Sequence, residues 1–234
     1  MSKRFLTSVL IGFSVLLLGL GTVGCSMTPG ADSTSEAASE SGGTAVSAST
    51  AAAADQSNLK TAVFAGGCFW CMEKPFDKLP GVATTTSGYT GGTVENPTYN
   101  QVSAGGTGHY EAMEVRYDPE RVSYETLLET FWYNVDPVDG RGQFCDKGDQ
   151  YRSAVFYETP EQRAVAEASK AAIAQRLDQP IATEILPAST FYDAEGYHQN
   201  YYKTHPVRYE VYRFGCGRDQ RLSDLWGADA PAHD

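Results

Sequence analysis

Basic residues are scarce in this 234-residue chain: 18 Lys and Arg stand against 29 Asp and Glu, a formal net charge of −11. That imbalance excludes a phosphate-backbone binder, which needs clustered cations. Cysteine is sparse too. Five residues are too few to staple a chain of this size as a disulfide scaffold, but enough for thiol chemistry. No metal-spaced histidine pair, zinc-protease motif or internal repeat is visible. Long apolar runs are missing beyond the first 20 residues. Hydrophobic residues make up 41% and aromatics 12%, enough for one core, and Gly (23) and Tyr (14) suggest a turn-rich fold with an aromatic pocket or surface.

The apolar run from Phe5 to Leu20 follows Lys3 and Arg4 and ends in Val23-Gly24-Cys25. It has the charge order and length of a secretory signal peptide. Its end is similar to a bacterial lipoprotein signal, in which Cys25 is lipidated and becomes the new N-terminus. Thr22 departs from that pattern, which prefers Leu three residues before the cysteine. Residues 1–24 are therefore expected to be removed, leaving Cys25 anchored in a bacterial cell envelope and facing the periplasm or exterior; plain secretion is the alternative. Residues 26–59 hold 9 Ala, 8 Ser, 4 Thr and 3 Gly among 34 positions and no aromatic residue. Such a segment buries too little apolar surface to offset its ordering entropy, so residues 25–59 read as a disordered tether.

From Lys60 to Asp234 the composition suits one folded domain. Thr61–Ala65, Glu111–Tyr117, Ser153–Tyr157 and Ala182–Leu186 read as strands. Helices are expected over Phe69–Leu79, with Pro75 in its first turns or kinking it, after Ser123, from Thr159-Pro160 to about Leu177, and over Gly196–Lys203. Short strands interspersed with helices favour an α+β fold, a mixed or antiparallel sheet with helices packed on it.

The reactive segment is Gly66-Gly67-Cys68-Phe69-Trp70-Cys71, directly after the first strand and opening a helix. A thiol at a helix N-terminus faces unpaired N–H groups and the positive end of the dipole, which favour thiolate, the nucleophilic form. The glycines permit a tight turn and close substrate approach. Cys71 lies within one helical turn of Cys68 and can bridge to it after Cys68 is oxidised. A buried strand-end cysteine between core aromatics is the plainer reading. A zinc site is the other, but Cys145 and Cys216 are single and far apart in sequence.

Five segments in this order resemble the A-type peptide methionine sulfoxide reductases: GGCFWC at 66–71, SGYTGG at 87–92, GHYEAMEVRYDP at 108–119, DKGDQYRSAVFY at 146–157 and YHQNYY at 197–202. The tail RFGCGRDQRLSDLWG at 213–227 is similar to one branch of that family. The resemblance implies a ferredoxin-like two-layer α+β sandwich and reduction of methionine S-sulfoxide without metal or organic cofactor. It implies Cys68 as nucleophile, Glu111 as the acid that protonates the sulfoxide oxygen, and Tyr89 and Tyr151 as hydrogen-bond donors to that oxygen. Asp146 would orient bound groups. Phe69 and Trp70 would hold the methyl group, because sulfur and methyl pack well on aromatic faces. Glu111 needs partial burial to stay protonated near neutral pH. Cys71 is expected to resolve the sulfenic acid and Cys216, in a mobile glycine-rich stretch, to accept the bridge by exchange. Cys145 is expected to be a small buried hydrophobe, and His109 and His198 to make structural hydrogen bonds. A thioredoxin-like thiol carrier would regenerate the enzyme, a monomer acting on oxidised proteins and free methionine sulfoxide. A general thiol–disulfide oxidoreductase and a non-catalytic ligand-binding lipoprotein remain the rival readings.

Overall fold

A computed structural model describes residues 58–230, all within one compact unit. The expected signal segment, Cys25 and nearly all of the tether lie outside the described residues. The first strand, β1 (Lys60–Gly66), carries Ala62, Val63, Phe64 and Ala65, all buried, so both its faces are covered. It leads into α1 (Phe69–Asp77), β2 (Val82–Thr90), the short α2 (Tyr99–Ser103) and β3 (Tyr110–Tyr117). Then come α3 (Tyr124–Trp132), the two-residue strands β4 (Gly142–Gln143) and β5 (Asp146–Lys147), β6 (Ser153–Tyr157) and α4 (Pro160–Leu177). The chain closes with β7 (Glu184–Pro187), β8 (Tyr192–Asp193), α5 (Tyr201–Thr204), α6 (Pro206–Gly215) and α7 (Arg218–Trp226).

The main sheet has the order β7-β6-β1-β3-β2-β8, antiparallel at every pair except β6 with β7. Its four inner strands follow a βαββαβ path: β1 crosses by α1 to β2, β2 returns as β3, and β3 crosses by α3 to β6. Both crossovers skip one strand, which is the ferredoxin-like arrangement. On the helical face Phe64, Met113, Val115 and Val155 pack against Met72 and Phe76 of α1 and Leu127, Leu128 and Phe131 of α3. On the other face Val63, Ala65, Tyr110, Ala112, Ala154 and Phe156 form a smaller cluster with Leu186 and Phe191. The strands alternate between these two clusters as a period of two requires.

Helix starts follow their caps. Ser123 accepts a hydrogen bond from the Thr126 N–H (3.2 Å) at the head of α3, and Thr159 accepts one from the Gln162 N–H (3.2 Å) at the head of α4, where Pro160 supplies the first helical position. Three expectations shift. Pro75 sits at the seventh of nine residues of α1 rather than in its first turns, and the helix ends two residues later. The helix expected over 196–203 is broken at Asn200, whose φ of 53° is left-handed and whose N–H donates to Glu73 Oε1 at 2.7 Å. The strand expected over 182–186 begins at Glu184, because the Ala182 and Thr183 N–H groups go to the Pro137 carbonyl. Among the described residues no helix is long and apolar enough to cross a membrane.

Candidate active site

Cys68 is the residue that caps α1, at the end of the turn leaving β1. Gly67 makes that turn with a φ of 78°. A Cβ there would lie 2.5 Å from the Gln143 side chain, and one at Gly66 would lie 2.4 Å from the Met72 sulfur. The room left by these glycines is therefore filled by protein rather than by substrate.

The free N–H group of Phe69, at the start of α1, donates to Glu111 Oε2 at 3.2 Å. Glu111 comes from β3, opposite Tyr89 of β2, and is only 2% exposed. Burial pushes its carboxyl up to about 8, against the pull of that N–H, with the nearby Asp146 adding to the rise. Cys68 is 6% and Cys71 1% exposed, and both are free thiols that hydrogen-bond each other. Burial raises Cys68 well above an ordinary thiol, helped by the bond to Cys71 and by Glu111. The same bond pulls Cys71 down to about 7, with Arg218 and Arg213 assisting against burial. The first N–H of the helix is taken by Glu111, so ionisation of the thiol pair leans on Arg218 and Arg213 as well as on the helix terminus.

Cys68, Phe69, Trp70 and Glu111 line a cavity of about 90 Å³. The space has room for the methylsulfinyl end of a side chain. The remaining walls are Tyr99, Asp146, Tyr151 and Tyr212. Burial raises the phenols of both Tyr99 and Tyr151, so they stay protonated donors. The Tyr212 hydroxyl donates to Asp146 Oδ2. Trp70 is locked from behind: its Nε1–H donates to His198 Nδ1 at 3.0 Å, and its ring stacks on Tyr201 at 3.7 Å and 5°. His109 likewise serves structure, accepting from the Gly92 N–H at Nδ1 (3.2 Å) with Nε2 2.7 Å from the Val94 carbonyl. A larger cavity of about 560 Å³ holds neither thiol nor Glu111, so size does not mark the chemistry.

Seven of the residues singled out from sequence thus meet around one space: Cys68, Phe69, Trp70, Glu111, Asp146 and Tyr151 on its walls, with Cys71 behind Cys68. Tyr89 does not join them. It is fully buried beside Phe69 (ring centroids 6.0 Å), and its hydroxyl runs past the cavity to donate to Glu195 Oε2 at 3.0 Å. The place expected for it is held by Tyr99, whose N–H donates to Glu195 Oε1 at 2.8 Å. Sequence reasoning missed Tyr99 and Tyr212. The Thr98–Gln101 capping box marks α2 and was a readable signal for the first; the second had none. Cys216 is not next to Cys71 but bonded to Cys145, with Cα atoms 4.8 Å apart. Cys145 is exposed, which corrects the expectation of a small buried hydrophobe.

A family model described as peptide methionine sulfoxide reductase matches residues 60–230. "Peptide methionine sulfoxide reductase MsrA" of Bacillus subtilis (strain 168) is 52% identical over 169 residues, 71% of this chain and 96% of the relative. "Peptide methionine sulfoxide reductase MsrA 2" of Caulobacter vibrioides is 52% identical over 184 residues, 78% of this chain and 93% of the relative. Among solved structures, methionine sulfoxide reductase A of Corynebacterium diphtheriae aligns with a TM-score of 0.59 and 36% identity, covering 64% of this chain and 76% of that one. The family model spans the described fold from its first strand to its last helix, and relatives half identical to the chain are matched over nearly their whole length: the chain belongs to the peptide methionine sulfoxide reductase family.

Proposed function

We propose that this chain reduces the S epimer of methionine sulfoxide, free and in proteins, with Cys68 as nucleophile and Glu111 as acid. The observation that carries the assignment is a carboxyl held protonated up to about pH 8 on the same 90 Å³ cavity as a thiol. The methyl group lies against Phe69 and Trp70, and the oxygen meets Glu111 and the hydroxyls of Tyr99 and Tyr151. Cys68 passes its proton along their hydrogen bond to the Cys71 thiolate and attacks the sulfoxide sulfur, forming a sulfur–sulfur bond. Glu111 gives its proton to the oxygen. The hydroxyl then passes from the substrate sulfur to the Cys68 sulfur as the sulfur–sulfur bond breaks, so methionine leaves as the thioether and Cys68 is left as a sulfenic acid. The Cys71 thiol then condenses with Cys68, forming a disulfide and releasing water. Exchange passes the bridge outward to Cys216, and a thioredoxin-like thiol carrier returns the two electrons. Cys145, Asp146 and Cys216 bring ligand atoms within 4.8 Å of one another, but the two sulfurs are bonded to each other.

The N-terminal sequence supports an address for this activity. Residues 1–24 act as a cleaved signal, Cys25 carries the lipid, and residues 25–59 tether the catalytic domain to an envelope membrane, where it repairs oxidised envelope proteins.

The test is one pass of chemistry. Reduced protein freed of reductant releases methionine from methionine S-sulfoxide, and Cys68→Ser releases none. Release by the Cys68→Ser protein, or none by the wild type, overturns the assignment.

A further inference from the structure

Two electrons must reach Cys68 from a protein dithiol, yet Cys68 and Cys71 are 6% and 1% exposed. A macromolecular carrier needs a sulfur at the surface to attack. Cys145 is exposed, and its partner Cys216 half-buried.

The bridge is joined to the cavity on both sides. Cys145 immediately precedes Asp146, and Cys216 lies one helical turn after Tyr212, whose carbonyl accepts the Cys216 N–H at 2.9 Å. Asp146 and Tyr212 are cavity walls tied together by the Tyr212 hydroxyl. The strand before Cys145 is fixed by Gln143, which accepts from the Asp136 N–H (2.7 Å) and donates to the Asp136 carbonyl (2.8 Å). Cys216, by contrast, stands between Gly215 and Gly217, and nothing lies within 4 Å of where either glycine's Cβ would be. One sulfur is held at the rim, and the other sits on a corner with open space around it.

We propose that Cys145 is the terminal acceptor of a four-thiol relay, so that Cys145–Cys216 is the disulfide a protein dithiol reduces. The proposal rests on the reductase reading above. The sulfenic acid on Cys68 condenses with Cys71, losing water. The Cys216 thiolate attacks the Cys71 sulfur, forming Cys71–Cys216 and freeing Cys68 as a thiol. The Cys145 thiolate then attacks the Cys216 sulfur, forming Cys145–Cys216 and freeing Cys71. One methionine sulfoxide has been reduced and one dithiol oxidised. The end state is the arrangement seen here: Cys68 and Cys71 as thiols, Cys145 bonded to Cys216. The site is then ready for a second substrate before any carrier arrives.

The experiment treats the fully reduced wild-type chain, without reductant, with one equivalent of methionine S-sulfoxide, followed by acid quench, alkylation and disulfide mapping by mass spectrometry. The expected result is one methionine per chain, Cys145 bridged to Cys216, and Cys68 and Cys71 alkylated. Methionine release with the bridge stopped at Cys68–Cys71 or Cys71–Cys216 overturns the relay while leaving the reductase reading intact. No methionine overturns both. In Cys145→Ser the bridge stops at Cys71–Cys216, and turnover driven by thioredoxin falls by about 10-fold relative to turnover driven by dithiothreitol, which is small enough to enter. An unchanged ratio overturns Cys145 as the acceptor.

Discussion

Two ionisations set the chemistry at the scale of single residues. Attack needs one proton removed from the thiol pair, and Cys71 is pulled down to about 7. Oxygen transfer needs the proton on Glu111, whose carboxyl is pushed up to about 8. The thiolate is present above the first value and lost below it; the acid is present below the second and lost above it. Single-turnover methionine release should therefore follow a narrow bell between about pH 7 and 8. Glu111→Gln keeps a hydrogen-bond donor but no transferable proton, so the rate should fall by about 10²–10⁴-fold and the descending limb should disappear. Rapid-quench measurement across pH 5–10 decides it. A wild-type rate still climbing through pH 9 would remove Glu111 as the acid. Much of this site was readable in the sequence, because Cys68, Phe69, Trp70 and Cys71 are contiguous and Glu111 stands in the GHYE segment that carries the family resemblance. Tyr89 was misread for a reason that only the fold supplies. A phenol on β2 passes beneath Phe69 to Glu195, and nothing in SGYTGG tells how far its hydroxyl reaches.

At the scale of elements, α7 is tied to the site by one buried cation. Arg218 donates to the Gly66 carbonyl at 3.1 Å and the Asn134 carbonyl at 2.8 Å, and its guanidinium lies 4.2 Å from the Phe144 ring centroid. It thus links the end of β1, the loop after α3 and the segment before Cys145. Arg218→Met fills much of the volume but strands two buried carbonyls. Denaturant unfolding of the reduced protein should show a loss of about 3 kcal/mol, from the range for charged hydrogen bonds and their unsatisfied partners. The Cys71 thiol should also rise, since Arg218 helps to hold it down. A loss below about 0.5 kcal/mol, the usual scale of neutral surface changes, would show that the clamp does not hold α7. Neither this clamp nor α7 was legible. Helices α3 and α4 announce themselves through Ser123 and the Thr159-Pro160 pair, whereas α6 and α7 start without a side-chain cap bond. Strand β2 was invisible because Val82–Thr90 reads VATTTSGYT, without apolar alternation. It is a strand because β3 and β8 pair with it on either side.

At the scale of the whole molecule, the βαββαβ order explains why residues far apart in sequence share one space. Cys68 and Phe69 follow β1, Glu111 opens β3, and Tyr151 precedes β6. These ends are neighbours because β3 and β6 flank β1 in the sheet. The alternation of strands and helices made the fold class readable, while the pairing order depended on long-range contacts that no local pattern records. The proposed envelope address is a property of the entire chain as well. Removing residues 1–24, which carry Lys3 and Arg4 and no acid, leaves 16 basic and 29 acidic residues, a formal charge of −13. So acidic a protein has no electrostatic attraction to anionic lipid and would depend on its acyl chains to stay at a membrane. Intact mass measurement of the protein from membranes should find a chain beginning at Cys25 and carrying fatty acyl mass. Cys25→Ala should move the enzyme from the membrane fraction to the soluble one with its single-turnover methionine yield unchanged, since Cys25 belongs to neither the thiol pair nor the bridge. An unmodified chain beginning elsewhere, or a Cys25→Ala protein that stays with membranes through a salt wash, would sink the anchor while leaving the chemistry of Cys68 untouched.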